Sequence, residues 1–432
     1  MKSSFLSAAF CCFVTVFGHP VQASSLPNIV ELAVQTHPQL IQSDRKVREG
    51  EQIVEQAKGG YLPSVDITAD WGYEVVDTPS TRASQTDDET WNNGRIGFEA
   101  RQMLFDGQAT SNDVRRTEAF TQAREYERQG MTQSIALAAS QVYLDVLRHR
   151  QHYELSKINL ENHRVIYQQI SSRVERGVGT KADQSQIESR LNNAESNVIA
   201  AQNNLLDAEA SYQQVIGELA PHQLQPFSFN AAMLPRSLAD AEEQVRLGNP
   251  IVLASRADIK EAESRYDYSK SSYYPEVDLV LFGDYGEDLD GTNGSNKNYG
   301  AMVQMRWNIF RGGSDKASER ASAFVVEQAR AINSNTHRDA RQRLKLSWSA
   351  FQMLERQEKF LAQYAAASER TRDSYKKEFN LGKRTLLDLL DSENELFGAQ
   401  NQHLDARIDY ELSKARILEA VGELYQQLTS AQ

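Results

Sequence analysis

Apolar residues recur at every second position in four short stretches of the chain. Val65, Ile67, Ala69, Trp71, Tyr73 and Val75 share one parity, while Asp66, Thr68, Asp70, Gly72 and Glu74 share the other. Tyr299, Ala301, Val303, Met305, Trp307 and Ile309 repeat this against Gly300, Gln304, Arg306 and Asn308. Val277, Leu279, Leu281 and Tyr285 form a third run, and Ile96, Phe98 and Ala100 a weaker fourth. A period of two places all apolar members on one face of a sheet. It predicts strands over 63–77, 93–105, 275–286 and 298–310. The runs are near the roughly 10 residues that a tilted strand needs to cross a bilayer. Trp71, Tyr73, Tyr299 and Trp307 lie on the apolar parity, as in an aromatic girdle. A half-buried strand in a soluble sandwich would alternate in the same way. The linking segments, 77–93 and 286–298, are rich in Asp, Asn, Thr, Ser and Gly and read as exposed loops.

The rest of the chain is helical in pattern. Ile29 to Ala57 predicts a medium helix that stops at Gly59-Gly60, and Leu238 to Ser272 a second that ends before Pro275. Pro63 and Pro275 mark the hand-over to a strand, because proline neither continues a helix nor donates to a central ladder. Ala109 to Arg176 contains one glycine, Gly130, and no proline; Ser314 to Leu381 contains neither. At 1.5 Å per residue each reaches roughly 100 Å. Gly177 and Gly382 break these patterns, and second helices return to Gly217 and Gly422. The helices are rich in Gln, Asn, Ser, Ala, Glu and Arg, which predicts narrow packing seams and no compact globule.

The two sets of elements are an internal duplication. Residues 104–219 lie on 309–424 at an offset of 205, so that Phe105-Asp106-Gly107 falls on Phe310-Arg311-Gly312 and Gly217-Glu218-Leu219 on Gly422-Glu423-Leu424. Upstream the offset is 212, with Pro38, Tyr61, Pro63, Val65 and Asp66 on Pro250, Tyr273, Pro275, Val277 and Asp278. The length change lies between Asp66 and Phe105, as expected for a surface loop. A unit of about 200 residues is too long for a solenoid. The expected organisation is a leader over 1–23, a first unit over 24–235 with a helical hairpin at 108–217, and a second over 236–432 with a hairpin at 314–428.

Lys2, the apolar run Phe5 to Phe17 and Val21-Gln22-Ala23 read as a secretory signal peptide. Both cysteines, Cys11 and Cys12, fall inside it; bulky Phe10 before Cys11 fits a lipobox poorly. Cleavage would leave no thiol nucleophile and no disulfide in an export compartment. The net charge of −12 gives no electrostatic footprint for nucleic acid. No phosphate-binding glycine loop, nucleophile elbow or paired-cysteine motif occurs. No cofactor is expected, and energy for any transport must come from a partner. His149-x-x-His152-x-Glu154 could hold a metal on one helix face, but such pairs in polar helices are usually solvated, so no metal is expected.

Four strands cannot close a membrane barrel, and an open edge in lipid leaves backbone groups unpaired at several kcal/mol each. About eight strands make the smallest closed barrel. The strands therefore require other copies of the chain.

The duplication, strand pairs, helical hairpins and turn motifs together resemble the TolC family of trimeric outer-membrane channel-tunnels, over essentially the whole chain after the leader. The resemblance implies a mainly α fold with a transmembrane β-barrel portion. Three chains would give twelve strands, four from each, standing on a long α-helical barrel in the periplasm of a Gram-negative bacterium. Parts of 218–236 and the C-terminal tail would form an equatorial region. The implied role is a passive exit duct in outer-membrane lipid, joined by a periplasmic adaptor (membrane fusion) protein to an inner-membrane ABC or proton-driven pump.

Phe379-Asn380-Leu381-Gly382-Lys383-Arg384-Thr385-Leu386-Leu387-Asp388-Leu389-Leu390-Asp391 looks like the family's gate turn, with Arg176 to Asp183 as its first-half partner. The resemblance implies links through Asp183, Phe379 and Arg384 that hold the tunnel closed, although Phe379 lacks the hydroxyl of some relatives. It also implies a pore ring from Asp388 and Asp391. Six carboxylates around one axis would attract cations. Gly177, Thr180, Gly382 and Thr385 complete the turn motif. A simpler role is open for part of it: Thr180-x-x-Asp183 and Thr385-x-x-Asp388 resemble capping boxes, and first-turn carboxylates suit the helix dipole. Arg384 also reads as a solvated turn residue. Two cargoes compete: a protein, such as a large adhesin, by type I secretion, or small toxic molecules by efflux. The poor lipobox leans toward secretion. A periplasmic coiled-coil scaffold with a small soluble β domain is the alternative from another class.

Overall fold

The computed structural model describes residues 25–430; the leader and its two cysteines lie outside them. The chain runs α1 (Leu26–Thr36), α2 (Pro38–Lys58), β1 (Ser64–Val75), α3 (Pro79–Ser84), β2 (Thr90–Phe105), α4 (Ala109–Glu175) and α5 (Lys181–Ile216). It continues α6 (Leu238–Gly248), α7 (Pro250–Ser269), β3 (Glu276–Glu287), β4 (Ser295–Arg306), α8 (Ser314–Asn380), α9 (Leu386–Val421) and α10 (Leu424–Thr429). The long helices α4 and α8 have 67 residues each, and the returning helices α5 and α9 have 36 each. No helix among the described residues is long and apolar enough to cross a membrane.

Each expected medium helix is divided in two. The breaks fall at His37 and Asn249, both in extended backbone (ψ 127° and 122°) and each followed by proline. The proline ring excludes the α conformation from the preceding residue. Each break is also an N-cap: His37 accepts from the Gln39 N–H, and Asn249 from the N–H groups of Ile251 and Val252.

The strands form one antiparallel meander in the order β1-β2-β3-β4. Its register aligns the apolar parities across all four strands. Ile67 faces Phe98, Phe98 faces Gly283, and Gly283 faces Tyr299; Val65, Ala100, Leu281 and Ala301 form the next row. No helix among the described residues covers this face. Trp71 is 74 % exposed and Tyr299 85 %, and Ile67, Phe98 and Val303 are also open. On the other face Arg101 bridges Glu99 and Asp278, at 2.9 and 3.1 Å. Among the described residues the outer strands β1 and β4 have no further strand partner. Strand β4 stops at Arg306, before Trp307 and Ile309, because its partner β3 begins just after Pro275, which has no N–H to give. The Trp307 indole instead donates to the Tyr273 carbonyl at 3.2 Å.

The main core joins α1, α4, α5, α9 and α10 with the 217–236 segment, through Val30, Tyr143, Leu144, Tyr212, Leu418 and Leu424 among others. Leu224 and Phe229 anchor the segment there. The buried Glu411 carboxylate accepts from the Phe229 N–H at 2.7 Å, and Lys414 donates to the Phe229 carbonyl at 3.2 Å. A second, smaller core gathers around the far ends of the hairpins.

Candidate functional site at the hairpin tips

Both hairpins turn in the same way. At the end of α8, Gly382 takes φ +72°, its N–H donates to Phe379 O at 3.0 Å, and the Lys383 N–H donates to Glu378 O at 2.9 Å. At the end of α4, Gly177 takes φ +77°, with Gly177 N–H to Val174 O at 2.9 Å and Val178 N–H to Arg173 O at 3.0 Å. Both are Schellman caps, whose left-handed position suits glycine. Threonine then starts the return helix. The Thr385 hydroxyl caps the Asp388 N–H at 3.2 Å, while the Asp388 carboxylate accepts from the Thr385 N–H and hydroxyl at 3.2 and 2.7 Å. Thr180 and Asp183 exchange two corresponding bonds, at 3.0 and 2.7 Å. Thr385 and Asp388 therefore form a full capping box, whereas at the first turn Thr180 caps the helix and the Asp183 carboxylate accepts only from the Thr180 hydroxyl. The bonds from Thr385 hold the Asp388 carboxyl below the usual carboxylate range.

Phe379 is not at the surface. It is 4 % exposed and sits among Ile166, Ile170, Ile187, Leu386, Leu389 and Leu390, which belong to the other three hairpin helices, α4, α5 and α9. The Arg173 guanidinium lies over its ring, 4.9 Å from the centroid. An aromatic ring without a hydroxyl suits this apolar site, since a buried polar atom would need a partner. Arg384 pairs with Glu378 at 2.8 Å, lies 4.0 Å from Asp388, and stacks over Tyr375 at 4.0 Å. Among the described residues no hydrogen bond or ion pair joins Arg384 to Asp183 within the chain.

Asp391 is paired across the hairpins, with Arg190 of α5 at 3.1 Å. Half a turn further on, Glu393 is 2 % exposed and accepts from Arg372 of α8 at 3.1 Å and from Asn162 of α4 at 3.2 Å. Sequence reasoning missed Arg190, Arg372 and Glu393 as a group. The only signal was a carboxylate on the otherwise small and apolar face of α9 that carries Leu389, Leu396 and Ala399. The tip is therefore a polar-capped, apolar-centred junction of four helices. Its contacts hold the two hairpins together.

The model of the family described as "Outer membrane efflux protein" matches residues 29–218 and 242–423. The outer membrane efflux protein BepC of Brucella suis is 27 % identical over 408 residues, which cover 94 % of this chain and 87 % of BepC. The alkaline protease secretion protein AprF of Pseudomonas aeruginosa is 23 % identical over 438 residues, or 96 % of this chain and 88 % of AprF. Among solved structures, the Campylobacter jejuni CmeC outer membrane channel aligns with a TM-score of 0.80 at 16 % identity, over 92 % of this chain and 86 % of CmeC. The open state of the Neisseria gonorrhoeae MtrE outer membrane channel aligns with a TM-score of 0.79 at 16 % identity, over 94 % and 90 %. At these identities the structures speak for the fold. The chain belongs to the outer membrane efflux protein family, as an outer-membrane channel component of a tripartite system in a Gram-negative cell, with its helical part in the periplasm.

Proposed function

We propose that three copies of the chain close a twelve-stranded barrel and form a passive exit duct gated at the hairpin tips. The exposed apolar face of the meander carries this reading, together with its two unpaired outer strands. Lipid is the solvent that such a face tolerates, and closure is the only way to pair its edges there. In this reading Asp183, Phe379 and Arg384 shape the closed tip. Asp388 and Asp391 bring six carboxylates to one axis and favour cations. A periplasmic adaptor and an inner-membrane pump supply selection and energy.

For cargo we favour a secreted protein, an adhesin among the candidates, over small toxic molecules. The similarity to AprF, a secretion protein by name, extends over 96 % of this chain, but BepC is an efflux protein by name and is more similar. A deletion strain separates the two. Loss of surface or secreted protein with unchanged drug sensitivity supports secretion; drug sensitivity with intact secretion overturns it.

A further inference from the structure

The histidine motif of α4 has a partner the sequence did not show. Both ring nitrogens of His152 face side-chain oxygens of α9: Nδ1 lies 2.5 Å from Asn401 Oδ1 and Nε2 lies 2.8 Å from Asp405 Oδ1. The Asn401 amide is oriented by a separate bond, since its Nδ2 donates to Phe397 O at 2.9 Å. That bond leaves Oδ1 as the atom presented to the ring. Amide and carboxylate oxygens are both acceptors, and only an imidazolium donates from both nitrogens.

Two further polar ties between α4 and α9 flank it: Arg148 pairs with Asp409, and Arg407 donates to Gln151 Oε1 at 2.6 Å. Above it the main core packs Leu144 and Leu147 of α4 against Leu404, Ile408 and Leu412 of α9. Below it the tip cluster begins at Ile166. Between Leu147 and Ile166 the buried side chains of α4 are Ser156, Asn159 and His163, all polar. Leu155 is the apolar residue of this stretch that packs against the main core, so side-chain polar contacts such as that of His152 carry much of the join there.

We propose that His152, Asp405 and Asn401 form a proton-operated latch between the two helical hairpins of each chain. With the ring charged, α4 is tied to α9. With the ring neutral, one nitrogen still donates but the lone pair of the other opposes an oxygen, and the tie loosens. The groups around it are Asp145, Arg148 and His149 on α4 and Asp405 and Asp409 on α9. Burial and the nearby Arg148 oppose the charge, but the bonds to Asp405 and Asn401 outweigh them and raise the His152 pKa above its ordinary value. Burial pushes neighbouring His149 the other way, so it does not compete for the proton. The stabilisation is complete below the unfolded value of about 6.5 and is lost as pH rises through the raised one. The latch thus holds in acid and loosens as pH rises through the raised value. It goes beyond the duct reading, and its test needs no conductance.

The test uses the detergent-extracted full chain. Exchange of the His152 ring C2 hydrogen, followed by mass spectrometry across pH, gives its titration midpoint. Spin labels on exposed Glu161 of α4 and Glu395 of α9, below the latch, report hairpin separation. The midpoint is expected above that of free histidine and about one pH unit lower in Asp405→Asn. The label distances are expected to broaden through the same pH range in the wild type and to be broad at all pH in His152→Gln. A midpoint at or below that of free histidine, or distances that ignore pH in the wild type, would overturn the latch. His152→Gln tests the tie without a charge, so Asp405→Asn, which keeps size and shape, guards against a folding defect.

Discussion

Helices α4 and α8 have equal length and corresponding places in the two halves of the chain, yet opposite surroundings. Among the described residues α4 buries 19 and α8 only five. The returning helices invert this: α5 buries six of 36 and α9 buries 19 of 36. The middle pair, α4 and α9, finds its neighbours inside the chain; the outer pair does not. On α5 the buried seam Ile187, Ala194, Ala201 and Ala208 repeats every seven residues, and a second apolar pair at that spacing, Ile199 and Leu206, is exposed. On α8 Leu346, Met353 and Phe360 repeat at seven and are exposed. A seven-residue repeat is a coiled-coil seam. Two unpartnered seams on the two outer helices, like the two outer strands, are what the proposed ring of three chains would join.

That difference can be broken directly. Charging the α8 seam with Leu346→Glu, Met353→Glu and Phe360→Glu should abolish assembly, read as a single-chain mass by light scattering in detergent. Equivalent changes at exposed polar positions of α8 should leave assembly intact. In the sheet, Ile67→Arg on the apolar face should cost about 2–4 kcal/mol and remove the protein from the outer-membrane fraction. Thr68→Arg, one residue along on the opposite face, should be tolerated. At the tip, Glu393→Ala leaves the guanidinium of Arg372 without its buried partner and should cost about 3 kcal/mol, seen as a lower melting temperature. Thr385→Ala removes a cap that the solvent can partly replace, and should cost about 1 kcal/mol. For the gate itself, Arg384→Ser with Asp183→Ala should raise single-channel conductance. Conductance equal to wild type would leave these two residues as cap and surface pair only.

The sequence made the repeating elements legible because their signals are local. Alternation gave the strands and their apolar face, glycine gave the turns, and threonine with aspartate gave the caps. The breaks at His37 and Asn249 were equally local, written in Pro38 and Pro250, but a long helical pattern on both sides hid them. Other features depend on how two hairpins dock. Nothing near Arg190 in the chain points to Asp391, and nothing near Arg372 points to Glu393. His152 read as a solvated histidine because its partners are some 250 residues away. Phe379 read as a gate residue by its place in a motif, whereas its burial follows from Ile166 and Ile187, on the other hairpin.

Native mass spectrometry of the protein released from outer membranes by detergent tests the central claim most directly. Three chains per particle, with no protein released in aqueous buffer alone, is the result expected from open edges and unpartnered seams. A single chain that stays monodisperse in water would contradict it.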